Sequence, residues 1–164
     1  MNLGELARIT DVQMKDLKNF VEGNDIKDIM GREAERHFKE SFVNEGFTDK
    51  TVEKWDDVKR RDPNSPWYGR GKTGSRFEGA RTTAKILTNT GTLKDSIKYE
   101  ITANGVLVKS STPYAAVHQF GLQAKIYGKK AFQMIARPFM GKSMVLKEKI
   151  EDKIVREITT ILTK

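Results

Sequence analysis

The chain has 164 residues, 37% hydrophobic and 32% charged, with 30 Lys and Arg against 22 Asp and Glu for a net charge of +8. That length suits one domain with a real core, and so polar a composition suits an oligomer or an extended shape better than a compact monomer. Without cysteine there is neither a disulfide framework nor a thiolate metal site, and no apolar run approaches the roughly 20 residues that cross a bilayer, so no membrane partner is expected.

The opening residues lack the basic-then-apolar plan of a signal peptide, so a soluble protein made in a cytoplasm is expected. Thr10 and Gln13 read as a capping box, and Met14, Leu17, Phe20 and Val21 then form a narrow apolar stripe that stops at Gly23. Asn24 or Asp25 can cap a second helix in which Ile26, Ile29, Met30, Ala34, Phe38 and Phe42 recur at three and four, with Gly46 ending the run. His37 on that helix reads as a buried histidine bonded nearby rather than a ligand. From Thr48 to Arg61 the signals are weakly helical, with Val52, Trp55 and Val58 three apart and Trp55 docking the piece onto the domain.

Between Asp62 and Thr83 nothing periodic remains to bury. A turn cluster at 62–66 precedes Gly69, Gly71, Gly74 and Gly79, which alternate with Arg, Lys and Ser, and the expectation is a single domain 1–164 carrying a flexible basic loop at 62–83. From Lys59 to Lys85 eight basic residues stand against Asp62 and Glu78, so most of the charge excess sits here. Trp67, Tyr68 and Phe77 argue for contact, and Trp67, Arg70, Lys72 and Arg76 are the candidates for an interface. The Gly71-Lys72-Thr73 triplet lacks the first glycine of a phosphate-binding loop, since position 66 is Pro, and no strand precedes it.

Residues 85–92 turn the chain, and Leu93 to Ile97 is a helical turn or the entry to a strand. Ile97 to Ile101 alternates, Asn104-Gly105 is the preferred type I′ turn pair, and Val106 to Lys109 returns, which predicts a hairpin. Pro113 can open and Gly121 close a short helix in a left-handed conformation, with Tyr114, Val117 and Phe120 on its core side while His118 and Gln119 face elsewhere. Ile126-Tyr127 and 132–135 can form a second strand pair running into Ala136-Arg137-Pro138, where Pro138 keeps Arg137 extended. Met144, Leu146, Ile150, Ile154, Ile158 and Ile161 then mark a long C-terminal amphipathic helix.

Three boxes stand in order: TGxLxxSI (Thr90, Gly91, Leu93, Ser96, Ile97), YAxxHQFG (Tyr114, His118, Gln119, Phe120, Gly121) and ARPFxG (Ala136, Arg137, Pro138, Phe139, Gly141). Through them the chain resembles, over roughly 87–158, the phage virion morphogenesis family, the tail-completion or neck proteins of Mu-like tailed phages and prophages. The resemblance implies an α+β protomer with helices packed on a small, mostly antiparallel sheet. It also implies a structural rather than enzymatic role in tail completion or head–tail joining, at the neck or tail of a virion assembled in the bacterial host cytoplasm. The partners it implies are the chain's own copies in a ring, commonly a hexamer, and other neck and tail proteins, with non-specific contact to packaged DNA compatible.

Within the boxes, Phe120, Phe139 and Leu93 are expected as core anchors, the glycines as backbone hinges, and Arg137 and His118 in polar contacts inside the fold. No catalytic residue, cofactor or metal site is expected, because two histidines and no cysteine leave no acid, base and orienting group that can be named together; pairing His118 with Ser111 lacks a nucleophile elbow. The competing reading is a basic nucleic-acid-binding protein using 59–85, although no helix-turn-helix or RNA-recognition signature accompanies that segment.

Overall fold

The computed structural model describes residues 2–69, 80–125 and 131–163. Helix α1 (Leu3–Glu22) starts well before Thr10: the Asn2 side chain accepts from the Glu5 N–H at 2.9 Å and the Glu5 carboxylate accepts from the Asn2 N–H at 2.9 Å. The capping box is therefore this pair, which satisfies two orphan donors at once. Thr10 and Gln13 lie inside the helix, where Gln13 Nε2 donates to the Leu162 carbonyl at 3.0 Å.

Helix α2 (Asp25–Asn44) is the spine of the molecule, burying Ile29, Ala34, His37, Phe38 and Phe42 along one side. Asp25 and Asp28 in its first turn complement the helix dipole. Met30, expected on the apolar stripe, is instead exposed. The helix ends at Glu45, which takes a left-handed φ of 52°, and not at Gly46. Gly46 instead opens β1 (Gly46–Thr48), pressed so close to the backbone of Glu53 and Lys54 that a Cβ would collide.

No helix forms over Thr48 to Arg61. β1 pairs antiparallel with β2 (Val52–Lys54), and the chain then runs irregularly past buried Trp55. The turn between the strands holds the start of the last helix, as Asp49 Oδ1 accepts from Met144 N at 2.8 Å and the Asp49 carbonyl accepts from Val145 N at 3.2 Å. The extended backbone itself is satisfied by the β1–β2 ladder and by Trp55 N, which donates to the Glu45 carbonyl at 2.8 Å. Trp55 docks as expected, and His37 is buried, with Nε2 on the Thr48 carbonyl at 2.9 Å.

After α3 (Ala80–Thr83) comes α4 (Thr92–Asp95), a single turn that leads straight into β3 (Ile97–Thr102). β3 and β4 (Gly105–Ser110) form the hairpin, but Thr102 faces Gly105, so the two-residue loop is Ala103-Asn104. Among the described residues the non-glycines with positive φ are Glu45 and Leu87, so this loop is not the type I′ turn that Asn104-Gly105 suggests. Inward, Tyr99 donates to Asp28 Oδ1 at 2.5 Å, and its ring occupies the space that a side chain at Gly31 would need.

α5 (Ala115–Phe120) follows the hairpin, and β5 (Gln123–Ala124) pairs with β6 (Phe132–Gln133). The second strand pair therefore begins earlier than expected, and Ile126-Tyr127 lies outside the described residues. α6 (Met144–Leu162) is capped by Ser143, whose side chain accepts from Leu146 N at 3.1 Å, and it runs beside α2. Lys153 reaches the buried Glu33 of α2 at 2.8 Å. Burial pushes the Glu33 carboxyl pKa up, but the Lys153 hydrogen bond and the charges of Arg36, Lys153 and Lys149 outweigh it and hold it below the usual value.

The fold is thus α+β, with the strands of the described residues in three separate antiparallel ribbons, of which β1–β2 and β3–β4 pack against α2. At the centre Phe42 and Phe139 are both fully buried with ring centroids 5.2 Å apart, and Trp55 stands edge-on to Phe42 at 5.7 Å. Ile97 and Leu93 complete that cluster from the other side.

Candidate functional site

Residues 136–141 belong to no helix or strand, yet they press buried Arg137 and Phe139 against the core, so their backbone groups need partners from elsewhere. Three side chains and one backbone bond supply them. Gln119 Oε1 accepts from Phe139 N at 3.0 Å and Met140 N at 3.2 Å, while its Nε2 donates to the Met140 carbonyl at 2.7 Å. Trp55 Nε1 donates to the Pro138 carbonyl at 2.7 Å, Ser41 Oγ to the Phe139 carbonyl at 3.2 Å, and Arg137 N to the His118 carbonyl at 2.7 Å. Arg137 Nη2 donates in turn to the Asp56 carbonyl at 3.0 Å. The second and third motif boxes are therefore one unit, joined mainly through Gln119.

This reverses the predicted orientation of α5. Ala115 is the buried apolar residue, His118 and Gln119 turn inward, Phe120 is 68% exposed and Tyr114 is 40% exposed. Phe120 is no core anchor, because the inward side of this short helix is taken by the polar groups that the 137–140 backbone requires. Gly121 closes α5 with φ 64°, as expected, and a Cβ there would meet Ala136 N at 2.8 Å and Met134 O at 2.9 Å. Replacing Gln119 by alanine strands two N–H groups and a carbonyl. The expected loss is about 2 to 3 kcal/mol, since each unpaired buried group costs roughly 1–3 and water can reach part of this one; urea denaturation midpoints check it.

Arg137 is 5% exposed and His118 half-buried, and each keeps one ring or guanidinium nitrogen, His118 Nδ1 and Arg137 Nε, buried without a protein partner. Burial lowers the Arg137 pKa, offset in part by Asp56 and Asp57. Burial and then the Arg137 charge lower that of His118. A histidine whose folded pKa lies below its unfolded one binds its proton more readily when unfolded, so stability is lost as pH falls below about 6.5 and continues to fall until the folded pKa is passed. A His118→Asn variant should show a shallower decline of urea midpoint between pH 7 and 5.

The first box joins the same assembly. Gly91 takes φ 77° ahead of α4, Leu93 and Ile97 are buried, and Thr90 Oγ1 meets Thr92 Oγ1 at 2.7 Å. Ser96 Oγ donates to the Leu93 carbonyl at 2.7 Å and touches Ser110 Oγ at 2.7 Å, which reaches Thr112 Oγ1 at 3.1 Å just before α5. Between α5, β4 and the 139–141 segment lies a groove of about 650 Å³, with Phe38 and Phe139 at its base.

Trp67 is 57% exposed, while Arg70, Lys72 and Arg76 lie outside the described residues. Among the cations of the basic segment, Arg60, Arg61 and Lys85 are used inside the fold. Arg60 Nη2 donates to the Ala84 carbonyl at 2.5 Å, Arg61 Nη2 to the same carbonyl at 2.8 Å, and Lys85 Nζ to the Val43 carbonyl at 2.6 Å. Arg61 also grips the Glu45 carboxylate at 2.5 and 3.1 Å, and that carboxylate accepts from Ile86 N at 2.6 Å. The Arg61 hydrogen bond holds the Glu45 pKa below its usual value against the opposing effect of burial. The sequence pattern points to none of these contacts, nor to Ser41, since nothing local distinguishes Glu45 or Arg61 from solvated charges.

Among the described residues no group of three or more His, Asp or Glu side chains could hold a metal ion, and no helix is long and apolar enough to cross a membrane. A model of the phage virion morphogenesis family matches residues 58–159, which takes in all three boxes and the basic segment. No curated protein and no solved structure matches the chain. The chain belongs to the phage virion morphogenesis family, and its role is in phage virion assembly.

Proposed function

We propose that the chain is a non-enzymatic building block of the virion neck, acting in tail completion or head–tail joining as a ring homo-oligomer, a hexamer on the family resemblance. The observation that carries this reading is the exposed apolar surface of α1 and α6. A subunit touching two ring neighbours buries roughly 1,600 Å² at standard interface size, about 800 Å² on each side, in two heterologous contacts. Exposed Ile9, Val12, Met14 and Val21 on α1 and Val155 and Leu162 on α6 belong to that surface.

The basic loop is the second contact element, with Trp67, Arg70, Lys72 and Arg76 meeting a neighbouring copy or another neck or tail protein. Its ends lie side by side, because Arg60 and Arg61 bond to the carbonyls of Ala84 and Lys85. Replacing 62–83 by a short Gly-Ser linker should therefore leave the urea midpoint within about 1 kcal/mol of wild type, as loop length enters closure entropy only logarithmically. The same deletion should abolish ring formation and tail joining. Light scattering and electron microscopy of the purified chain, with complementation of tail assembly, test this; a truncated chain that still assembles and joins tails overturns the role of the loop. Packaged DNA passing the ring would meet the remaining loop cations non-specifically. Random-sequence DNA across a salt series is expected to bind weakly, and tight, steeply salt-dependent binding would favour a nucleic-acid protein instead.

A further inference from the structure

The groove beside α5 differs from a packing defect in which residues line it. Three consecutive residues of β4, Val108, Lys109 and Ser110, border it. Successive side chains of a strand point to opposite faces, so a cavity on a sheet face meets alternate residues. Consecutive ones place the strand's edge, with its backbone N–H and C=O groups, against the groove. Among the described residues β4 pairs with β3 alone, and in an antiparallel ladder every second residue turns its backbone groups away from its partner.

The opposite wall is α5, with Ala116 and the exposed Phe120. An unpaired strand edge facing an apolar helix wall is the arrangement by which an extended peptide is captured: main-chain bonds give affinity and pockets for alternate side chains give specificity. The volume, about 650 Å³, is that of a ligand-sized site. Among the described lining residues Lys109 is the one charged group, and Lys142 follows Gly141 at the rim. Lys109 pairs with Glu100 at 2.6 Å, but both are about half exposed, so the pair adds little stability and can be exchanged.

We propose that this groove is a β-augmentation site for an extended segment of a partner polypeptide. The segment adds a third strand along β4, sets alternate apolar side chains against Phe120 above Phe38 and Phe139, and carries carboxylates that face Lys109. The proposal goes beyond ring formation and does not depend on it, since ring closure is read separately by mass.

The test is selection of random linear dodecapeptides on the full-length chain, followed by synthesis of the winners and titration by fluorescence anisotropy. Enriched peptides should alternate apolar residues and carry more Asp and Glu than Lys and Arg. Phe120→Glu and Ala116→Arg, both at exposed positions and so expected to keep the wild-type urea midpoint, should each weaken binding at least tenfold. N-methylation of alternate peptide amides should do the same in one register and not in the other. The proposal is overturned if no peptide outcompetes a control protein, if the winners bind both variants as they bind wild type, or if methylation has no effect. It is equally overturned if the two variants abolish self-association of the chain, because the groove would then hold a second copy.

Discussion

Phe139→Ala is expected to destabilise the chain by about 3 to 5 kcal/mol, the range for truncating a fully buried phenylalanine in a core that cannot collapse around the void. Collapse is blocked here because the backbone on both sides of Phe139 is pinned: its own carbonyl by Ser41, Pro138 by Trp55, and its N–H and that of Met140 by Gln119. The facing Phe42 and Trp55 rings cannot follow the missing side chain without breaking those bonds. Urea denaturation followed by tryptophan fluorescence measures the loss, and Phe139→Leu, which keeps much of the volume, should recover more than half of it. A cost under about 1.5 kcal/mol would mean that this segment is not locked into the core.

Gly121→Val is expected to cost about 3 to 4 kcal/mol, from two additive causes. A β-branched residue held at φ 64° bears roughly 1–2 kcal/mol of backbone strain. Its Cβ would also press on Ala136 N at 2.8 Å and Met134 O at 2.9 Å, backbone atoms that cannot swing aside, for a further 1–3 kcal/mol or so. The glycine of the third box supplies the control. A Cβ at Gly141 meets nothing nearer than Phe47 Cζ at 3.4 Å, so Gly141→Ala should change the urea midpoint by less than about 1 kcal/mol. Equal effects at the two positions would refute the close approach of α5 to the third box.

The elements readable from the sequence are those whose side chains repeat with one period over many residues. α2, α6 and the β3–β4 hairpin declare themselves because a long stripe at helical spacing or a strict alternation arises by chance too rarely to compete with a helix or a strand. The start of α1 is harder to place because an Asn2–Glu5 cap and a Thr10–Gln13 cap carry similar local signals, and only the added length decides between them. Val52, Trp55 and Val58 fit a helix by spacing, yet β2 pairs with β1 and Trp55 N donates to the Glu45 carbonyl, while the turn between the strands is fixed through Asp49 by bonds to 144 and 145 that no local window contains.

At the site, the boxes identify Leu93 and Phe139 as buried, but hydrophobicity misorients α5. Periodicity defines a face without saying which face the fold needs. A segment pressed against the core without secondary structure demands hydrogen-bond partners, and that demand places Gln119 inside and Phe120 outside. The Glu45–Arg61 contact is invisible in the sequence for the related reason that its partners are set by tertiary closure.

The way 137–140 is tethered also constrains the order of events during synthesis. Ser41 precedes Phe139 by 98 positions and Trp55 precedes Pro138 by 83, so the central aromatic cluster cannot close until Phe139 has left the ribosome. Until then Phe42 and Trp55 stand uncovered on a nascent chain, and a product truncated before the third box would present them as a sticky surface to chaperones and proteases.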